Sequence, residues 1–253
     1  MFSKGGIDLN NFSTIIMAAG KGTRMKSDLA KVLHTINGRP MVHYVIDLAK
    51  EVGTEKIILV IGHQKEKVIE VCKNSGVEFA IQSEQLGTGH AVKITEDLFE
   101  NYIGNILVLS GDVPLLTIQT IKTLIQKHFS SDAMATLLTA KIENPEGYGR
   151  VIRNKEGNII RIVEHKDANT EELKIKEINV GIYVFKKDEL FKTLELIKND
   201  NVQGEFYLPD VVKIYVERSE RVVAQLTPDF DETRGINTIE QLKYAETILL
   251  NRS

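Results

Sequence analysis

Residues 15–25 read Ile15-Ile16-Met17-Ala18-Ala19-Gly20-Lys21-Gly22-Thr23-Arg24-Met25, an apolar run that breaks directly into glycines and cations. A short, partly β-branched run bounded by glycine reads as a buried strand. Small residues past its carboxyl end let backbone N–H groups approach a phosphate chain, and Arg24 and, further on, Lys31 add positive charge. The loop lacks the Gly-x-x-x-x-Gly-Lys-Ser/Thr spacing of a P-loop, and Met25 stands where a dinucleotide fingerprint needs its third glycine. It reads as a triphosphate cradle around Gly20 and Gly22, with a glycine turn carrying solvated cations as the plainer alternative.

Working outward, short apolar runs at 13–18, 56–61, 78–81, 105–110 and 134–140 alternate with segments of helical period. Met41, Val45, Leu48 and Val52 recur at helical spacing before Gly53, and similar patterns fill 64–74, 88–99 and 117–128. That alternation predicts an α/β fold, a mostly parallel sheet with helices on both faces. The second half predicts a hairpin, 150–154 and 159–163, around Lys155-Glu156-Gly157-Asn158, then a long strand at 177–186. Helices at 188–198, 209–218 and 238–250, with a strand near 222–226, return to the main sheet. Residues 1–12 read as a loose tail and 13–253 as one domain with a β-rich insertion.

In open sheets of this kind ligands bind beyond the carboxyl ends of the strands, so the loops there matter most. Ser110-Gly111-Asp112-Val113-Pro114 places a carboxylate where it can hold Mg²⁺ already coordinated by phosphates, unless Asp112 merely caps a helix starting near Thr117. Gln82, ahead of Gly87-Thr88-Gly89, offers a donor and an acceptor together, matching the adjacent N–H and carbonyl of uracil. Gly87 would let its backbone come close to the base, whereas the blander reading makes Thr88 a helix cap. Gly149, Glu164 and Asn179 supply hydroxyl-binding groups for a hexose, against a turn, a solvated charge cluster and an edge-strand asparagine.

Composition removes other classes. The 253 residues carry 32 Lys+Arg against 35 Asp+Glu, a net charge of −3, with an isoelectric point near 6.1, so no basic field holds a nucleic acid. Cys72 is the single cysteine and forms neither an internal disulfide nor a paired-thiolate zinc site, which fits a reducing compartment. The six histidines show no metal-type pairing, and no nucleophile elbow is present. His34, His43 and His128 read as packing residues. No apolar run approaches the roughly 20 residues that cross a bilayer, and Ile15 to Ala19 is too short for a signal-peptide core. The expectation is a soluble cytoplasmic protein without nucleic-acid partner, membrane insertion or covalent catalysis.

Taken in order, 18–25, Lys31-Val32-Leu33-His34, 84–91, 111–115, Gly147-Tyr148-Gly149-Arg150 and 164–168 resemble the N-acetylglucosamine-1-phosphate uridyltransferase domain of the bacterial bifunctional GlmU family, over roughly residues 13–250. The resemblance implies a Rossmann-like nucleotidyltransferase fold with a β-rich sugar-binding insertion. It implies transfer of UMP from UTP to N-acetyl-α-D-glucosamine 1-phosphate with Mg²⁺, giving UDP-N-acetylglucosamine and pyrophosphate for cell-envelope precursors. On that basis Ala18, Ala19, Gly20 and Gly22 contact the nucleotide, Arg24 and Lys31 bind phosphates catalytically, and Gln82, Gly87 and Thr88 hold the uridine. Asp112 and Asn237 would hold the metal, and Tyr148, Gly149, Glu164 and Asn179 would face the sugar. Asn237, in Gly235-Ile236-Asn237, is picked out by the resemblance alone. Ala30 and Ile239 stand where the family commonly carries proline and arginine. The resemblance ends before the family's hexapeptide β-helix, which carries acetyltransferase activity and trimerisation, so a single-function chain and a piece of a longer one both fit. Another sugar 1-phosphate such as glucose 1-phosphate, cytidylyl transfer, and a silent nucleotide-sugar-binding module remain alternatives. A nicotinamide oxidoreductase is disfavoured by the broken third glycine.

Overall fold

The computed structural model describes residues 11–252, and the strand ahead of the glycine loop lies at its centre. β1 (Phe12–Ala18) has parallel partners on both sides, β4 (Ile57–Ile61) and β6 (Asn105–Ser110). β5 (Glu78–Ile81) continues the sheet beyond β4, also parallel. On the other side follow β10 (Glu177–Lys186), β7 (Ala135–Lys141) and β11 (Val222–Leu226), giving the order β11-β7-β10-β6-β1-β4-β5. Of the expected tail, residues 1–10 lie outside the described residues, and Phe12 already pairs with Asn105 in β1.

The unbroken apolar run of β4 explains the layering. Ile57, Leu59 and Ile61 join one core, with α1 (Met41–Glu51), α2 (Lys65–Cys72) and α4 (Ile118–Ser131). Ile58 and Val60 join the other, with α3 (Thr88–Lys93), α5 (Lys187–Leu194) and α6 (Asp210–Glu217). A strand whose alternate residues both meet apolar helices has no polar face, which is the pattern of a sheet covered twice. A third, small cluster of Ile36, Met41, Leu115, Ile236 and Ala245 seats α7 (Ile239–Arg252) near the short hairpin β2 (Thr35–Ile36) and β3 (Arg39–Pro40).

One sequence expectation changes. The segment 88–99 is not one helix: α3 stops at Lys93, Thr95 Oγ1 donates to the Val92 carbonyl at 2.7 Å, and a 3-10 turn, Glu96–Phe99, follows. The sheet is mostly parallel, as the alternation predicts, and β10 is an exception that runs antiparallel to both β6 and β7. β10 also carries a register shift between Asn179 and Tyr183, with Gly181 at φ 77°. Its first half, still paired with β7 on one edge, pairs on the other with β8 (Gly149–Arg153), which in turn pairs with β9 (Ile159–Val163).

Candidate active site

Register sets the rim. Ala18 pairs with Ile61, Ile61 with Ile81 and Met17 with Ser110, so β1, β4, β5 and β6 end level. The chain winds from β1 to β4 and β5, then returns to β6 on the far side of β1, and such a reversal opens a crevice at the carboxyl ends. A cleft of about 620 Å³ lies there, lined by Ala18, Ala19, Gly20, Gly22, Lys31, Gln82, Gly87, Thr88 and Asp112, along with Lys21, Gln85, Ser110 and Glu205.

On its cationic side, Met25 is 2 % exposed and anchors the 3-10 turn Thr23–Met25, leaving Arg24 outward. Gly22 sits at φ 65°, and a Cβ there would come within 2.6 Å of Lys31 Cβ, so only glycine lets the lysine lie alongside the loop. Val32 and Leu33 are buried and fix the turn that presents Lys31. Ala30 has φ −53°, a value proline would adopt, but keeps its N–H, which donates to Gln64 Oε1 at 3.1 Å. A side-chain hydrogen bond here does the work of a ring constraint.

Lys31 Nζ forms an ion pair with Asp112 Oδ2 and donates to Asn237 Oδ1 at 3.0 Å, while Arg24 Nη2 donates to the same amide oxygen at 2.9 Å. The helix cap near residue 117 is Thr117 itself, which accepts from the Thr120 N–H at 3.2 Å, so Asp112 is not spent on capping. Asn237 arrives on the approach to α7, where Gln241 N donates to Thr238 Oγ1 at 3.2 Å. Gln241 Oε1 in return accepts from the Thr238 and Asn237 N–H groups at 3.1 and 2.7 Å. This reciprocal cap locks the backbone that carries the amide. One carboxylate and one amide oxygen thus converge on a single positive charge. That hard-oxygen pair suits Mg²⁺, which commonly takes only one or two protein oxygens. Among the described residues, no cluster of three or more His, Cys, Asp or Glu forms an all-protein cage.

On the cleft's other side, Gln82 is 4 % exposed and Gln85 Nε2 donates to the Ala19 carbonyl at 3.2 Å. The segment 205–208 clamps the next turn: Phe206 N donates to the Leu86 carbonyl at 2.8 Å and Gly89 N to the Phe206 carbonyl at 2.8 Å. Gly87, at φ 110°, caps α3, and a Cβ there would meet Phe206 O at 2.5 Å. Thr88 is no cap, because its Oγ1 accepts from Leu208 N at 3.0 Å.

The remaining expected residues form a second group. Gly149 pairs with Asn179 across β8 and β10, and a Cβ on Gly149 would come within 3.3 Å of Glu164 Oε1. Asn179 Nδ2 donates to Tyr183 Oη at 2.6 Å, so part of its capacity is used internally. Tyr148 packs edge-on against Phe230 at 5.6 Å, and burial raises its phenol pKa, opposed by Arg234 and reinforced by Asp112. Glu164 does not line the cleft. It lines a separate cavity of about 490 Å³ with Asp167, Tyr207 and Asp210, and burial, reinforced by the charges of Asp167, Asp210 and Glu205, pushes its carboxyl up to about 7. Gln85, Ser110 and Glu205 line the cleft without having been singled out as site residues. Gln85 stands inside the quoted loop 84–91 and Ser110 heads its own, but Glu205 reaches the rim through a distant clamp that leaves no local pattern.

A doubly covered sheet with a glycine cradle, a rim carboxylate and convergent cations defines a nucleotide-handling transferase. Residues 13–231 match the family described as nucleotidyl transferase, and the chain belongs to that family. It is 50 % identical over 244 residues to Bifunctional protein GlmU of Bacillus cereus (strain G9842), and equally to that of Bacillus mycoides (strain KBAB4). Each alignment covers 96 % of this chain and 53 % of the relative, so the chain spans about half the length of the curated relatives it matches. Among solved structures, a UDP-glucose pyrophosphorylase complexed with UDP-glucose superposes with a TM-score of 0.73 at 19 % identity, covering 95 % of this chain and 99 % of that one. That likeness shows a shared fold. No helix among the described residues is long and apolar enough to cross a membrane.

Proposed function

We propose that residues 13–253 form a cytoplasmic catalytic unit that transfers UMP from UTP to N-acetyl-α-D-glucosamine 1-phosphate, releasing pyrophosphate and forming UDP-N-acetylglucosamine. The observation that carries this reading is the meeting of Arg24, Lys31, Asp112 and Asn237, from three separate segments, beside a nucleotide-sized cleft. The 50 % identity to bifunctional GlmU proteins supports the acetamido sugar as acceptor.

An oxygen of the sugar phosphate, already anionic at neutral pH, attacks the α-phosphorus of UTP. The bond from that phosphorus to the bridging oxygen breaks, and pyrophosphate leaves with the bonding pair. No protein base is required, so the chain's contribution is alignment and charge neutralisation. Arg24 and Lys31 meet the charge that builds on the phosphates, and backbone N–H groups of Ala18 to Gly22 seat the chain of phosphates. Gln82, Gly87 and Thr88 orient the base, and Tyr148, Gly149, Glu164 and Asn179 orient the sugar. Asp112 and Asn237 would hold Mg²⁺, which when bound offsets charge shared between the two reactants.

Pyrophosphate release from UTP, N-acetylglucosamine 1-phosphate and Mg²⁺ tests the proposal, with EDTA and glucose 1-phosphate as parallel arms. Release confined to the acetamido sugar with metal is expected. Equal or greater release with glucose 1-phosphate transfers the assignment to a different sugar, and none with either abandons it.

A further inference from the structure

Gln82 is held from behind. Its Nε2 lies 3.1 Å from the carbonyl oxygen of Gly87 and 3.1 Å from Nδ1 of His90. A carbonyl oxygen only accepts, so Gly87 fixes which end of the amide carries the protons. The second proton of that NH₂ group then points at His90 Nδ1, which must present a lone pair. The ring is therefore the neutral tautomer with its proton on Nε2. Turning the amide around would set Oε1 against the Gly87 carbonyl oxygen, which can only accept. As it stands, Oε1 has no hydrogen-bond partner among the described residues and is not one of the fully buried orphan atoms, while Gln82 lines the cleft. An acceptor, not a donor, is offered to the base.

His90 itself lies outside the cleft lining. It projects from α3 into a separate pocket of about 370 Å³ beside Lys93, Leu194, Ile197 and Phe206, so it acts through Gln82. Its helix turn is fixed by the Gly89 N–H on the Phe206 carbonyl at 2.8 Å and the Ala91 N–H on the Gly87 carbonyl at 3.1 Å. The ring is thus positioned independently of any ligand.

We propose that His90 is a positioning residue for base selection: by accepting from Gln82 Nε2 it anchors the amide whose orientation the Gly87 carbonyl sets, holding Oε1 toward the cleft, which then favours a pyrimidine bearing N–H at ring position 3 over one bearing a lone pair there. Uracil offers that N–H and cytosine the lone pair. Two opposed acceptors shielded from water leave both unpaired, which is the strong form of discrimination. The inference rests on the nucleotide reading of this cleft given above.

The test is calorimetric binding of UTP and CTP to the whole chain without sugar phosphate, for wild type, His90→Phe and His90→Asn. His90→Phe keeps a ring and removes the acceptor, whereas His90→Asn returns an amide oxygen near the Nδ1 position. Wild type is expected to prefer UTP by about 100-fold. His90→Phe should cut that preference by about tenfold, and His90→Asn should stay within about threefold of wild type. His90→Leu replaces His90→Phe if the latter does not fold. Equal affinity of wild type for the two nucleotides overturns the inference, as does a folded acceptor-less variant that keeps the wild-type ratio. Because no sugar phosphate is present, a UTP preference that collapses in His90→Phe supports the inference even if pyrophosphate release fails. That failure would count against the proposed reaction alone.

Discussion

The cleft beyond β1 and the cavity beside β9 are built differently. Around the cleft, the polar groups are already tied to one another: Lys31 to Asp112 and Asn237, Gln82 to Gly87 and His90, Thr88 to Leu208. Across β8 to β10 the ties are partial: Asn179 is bonded to Tyr183 and Arg153 to Glu177, but other groups are left over. The Glu164 side chain has no hydrogen bond among the described residues, and Arg150 Nε and His165 Nδ1 are buried without a partner. Unpaired buried polar groups are costly. The parallel half is preorganised by its own backbone and caps, whereas the Glu164 carboxyl of the antiparallel half keeps its hydrogen-bonding capacity free for the sugar of the proposed reaction.

The largest test of that contrast is Lys31→Ala, since Lys31 closes the preorganised side. Turnover should fall by about 10²–10³-fold while the melting temperature moves by no more than a few degrees. Arg24→Ala should follow in the same direction, and unchanged turnover in either variant removes that residue from the mechanism.

Glu164→Gln addresses the other side. The KM for the sugar phosphate should rise about 10-fold or more with the KM for UTP nearly constant, and a rise in both would merge the two sides. With the carboxyl pushed up to about 7, the wild-type KM for the sugar phosphate should fall as pH rises from 6 to 8. The stability sign follows from linkage. The unfolded chain releases this proton near the ordinary carboxylate value and the folded chain only near 7, so stability from this group declines as pH rises through that window. Glu164→Gln should therefore gain about 1–3 kcal/mol over wild type at pH 8 and little at pH 4 in urea melts. His128 slopes the other way, because burial pushes it down to about 4 and its stability is lost as pH falls from the ordinary histidine value toward that point. The variant-minus-wild-type difference isolates Glu164.

Gly22→Ala is the mildest break. The strained φ should cost about 1 kcal/mol of stability, and the crowding of Lys31 should lower turnover by roughly tenfold. Wild-type turnover in this variant would mean that Lys31 needs no such close seat.

Much of this was legible in the chain because the signals are local. β4 as an unbroken apolar run, the glycines after β1, and Asp112 and Gln82 just past their strands all follow from neighbours in sequence. The reversed direction of β10 and its bulge were not, since a strand's polarity in a sheet depends on partners far along the chain and 177–186 looks like any long strand. Asn237 was reached by resemblance alone because Ile36, Leu115, Ile236 and Ala245, scattered in sequence, decide where α7 docks. Glu164 was foreseen as a polar contributor, but its seat in a separate cavity comes from the packing of α6 against β9.

Phosphorus NMR of the full chain with UTP, N-acetylglucosamine 1-phosphate and Mg²⁺ tests the central claim most directly, because it reports which bond forms. The account predicts that the α-phosphorus of UTP reappears in the diphosphate bridge of UDP-N-acetylglucosamine, in step with free pyrophosphate. Accumulation of UMP with pyrophosphate, or UTP and sugar phosphate left intact, would contradict it.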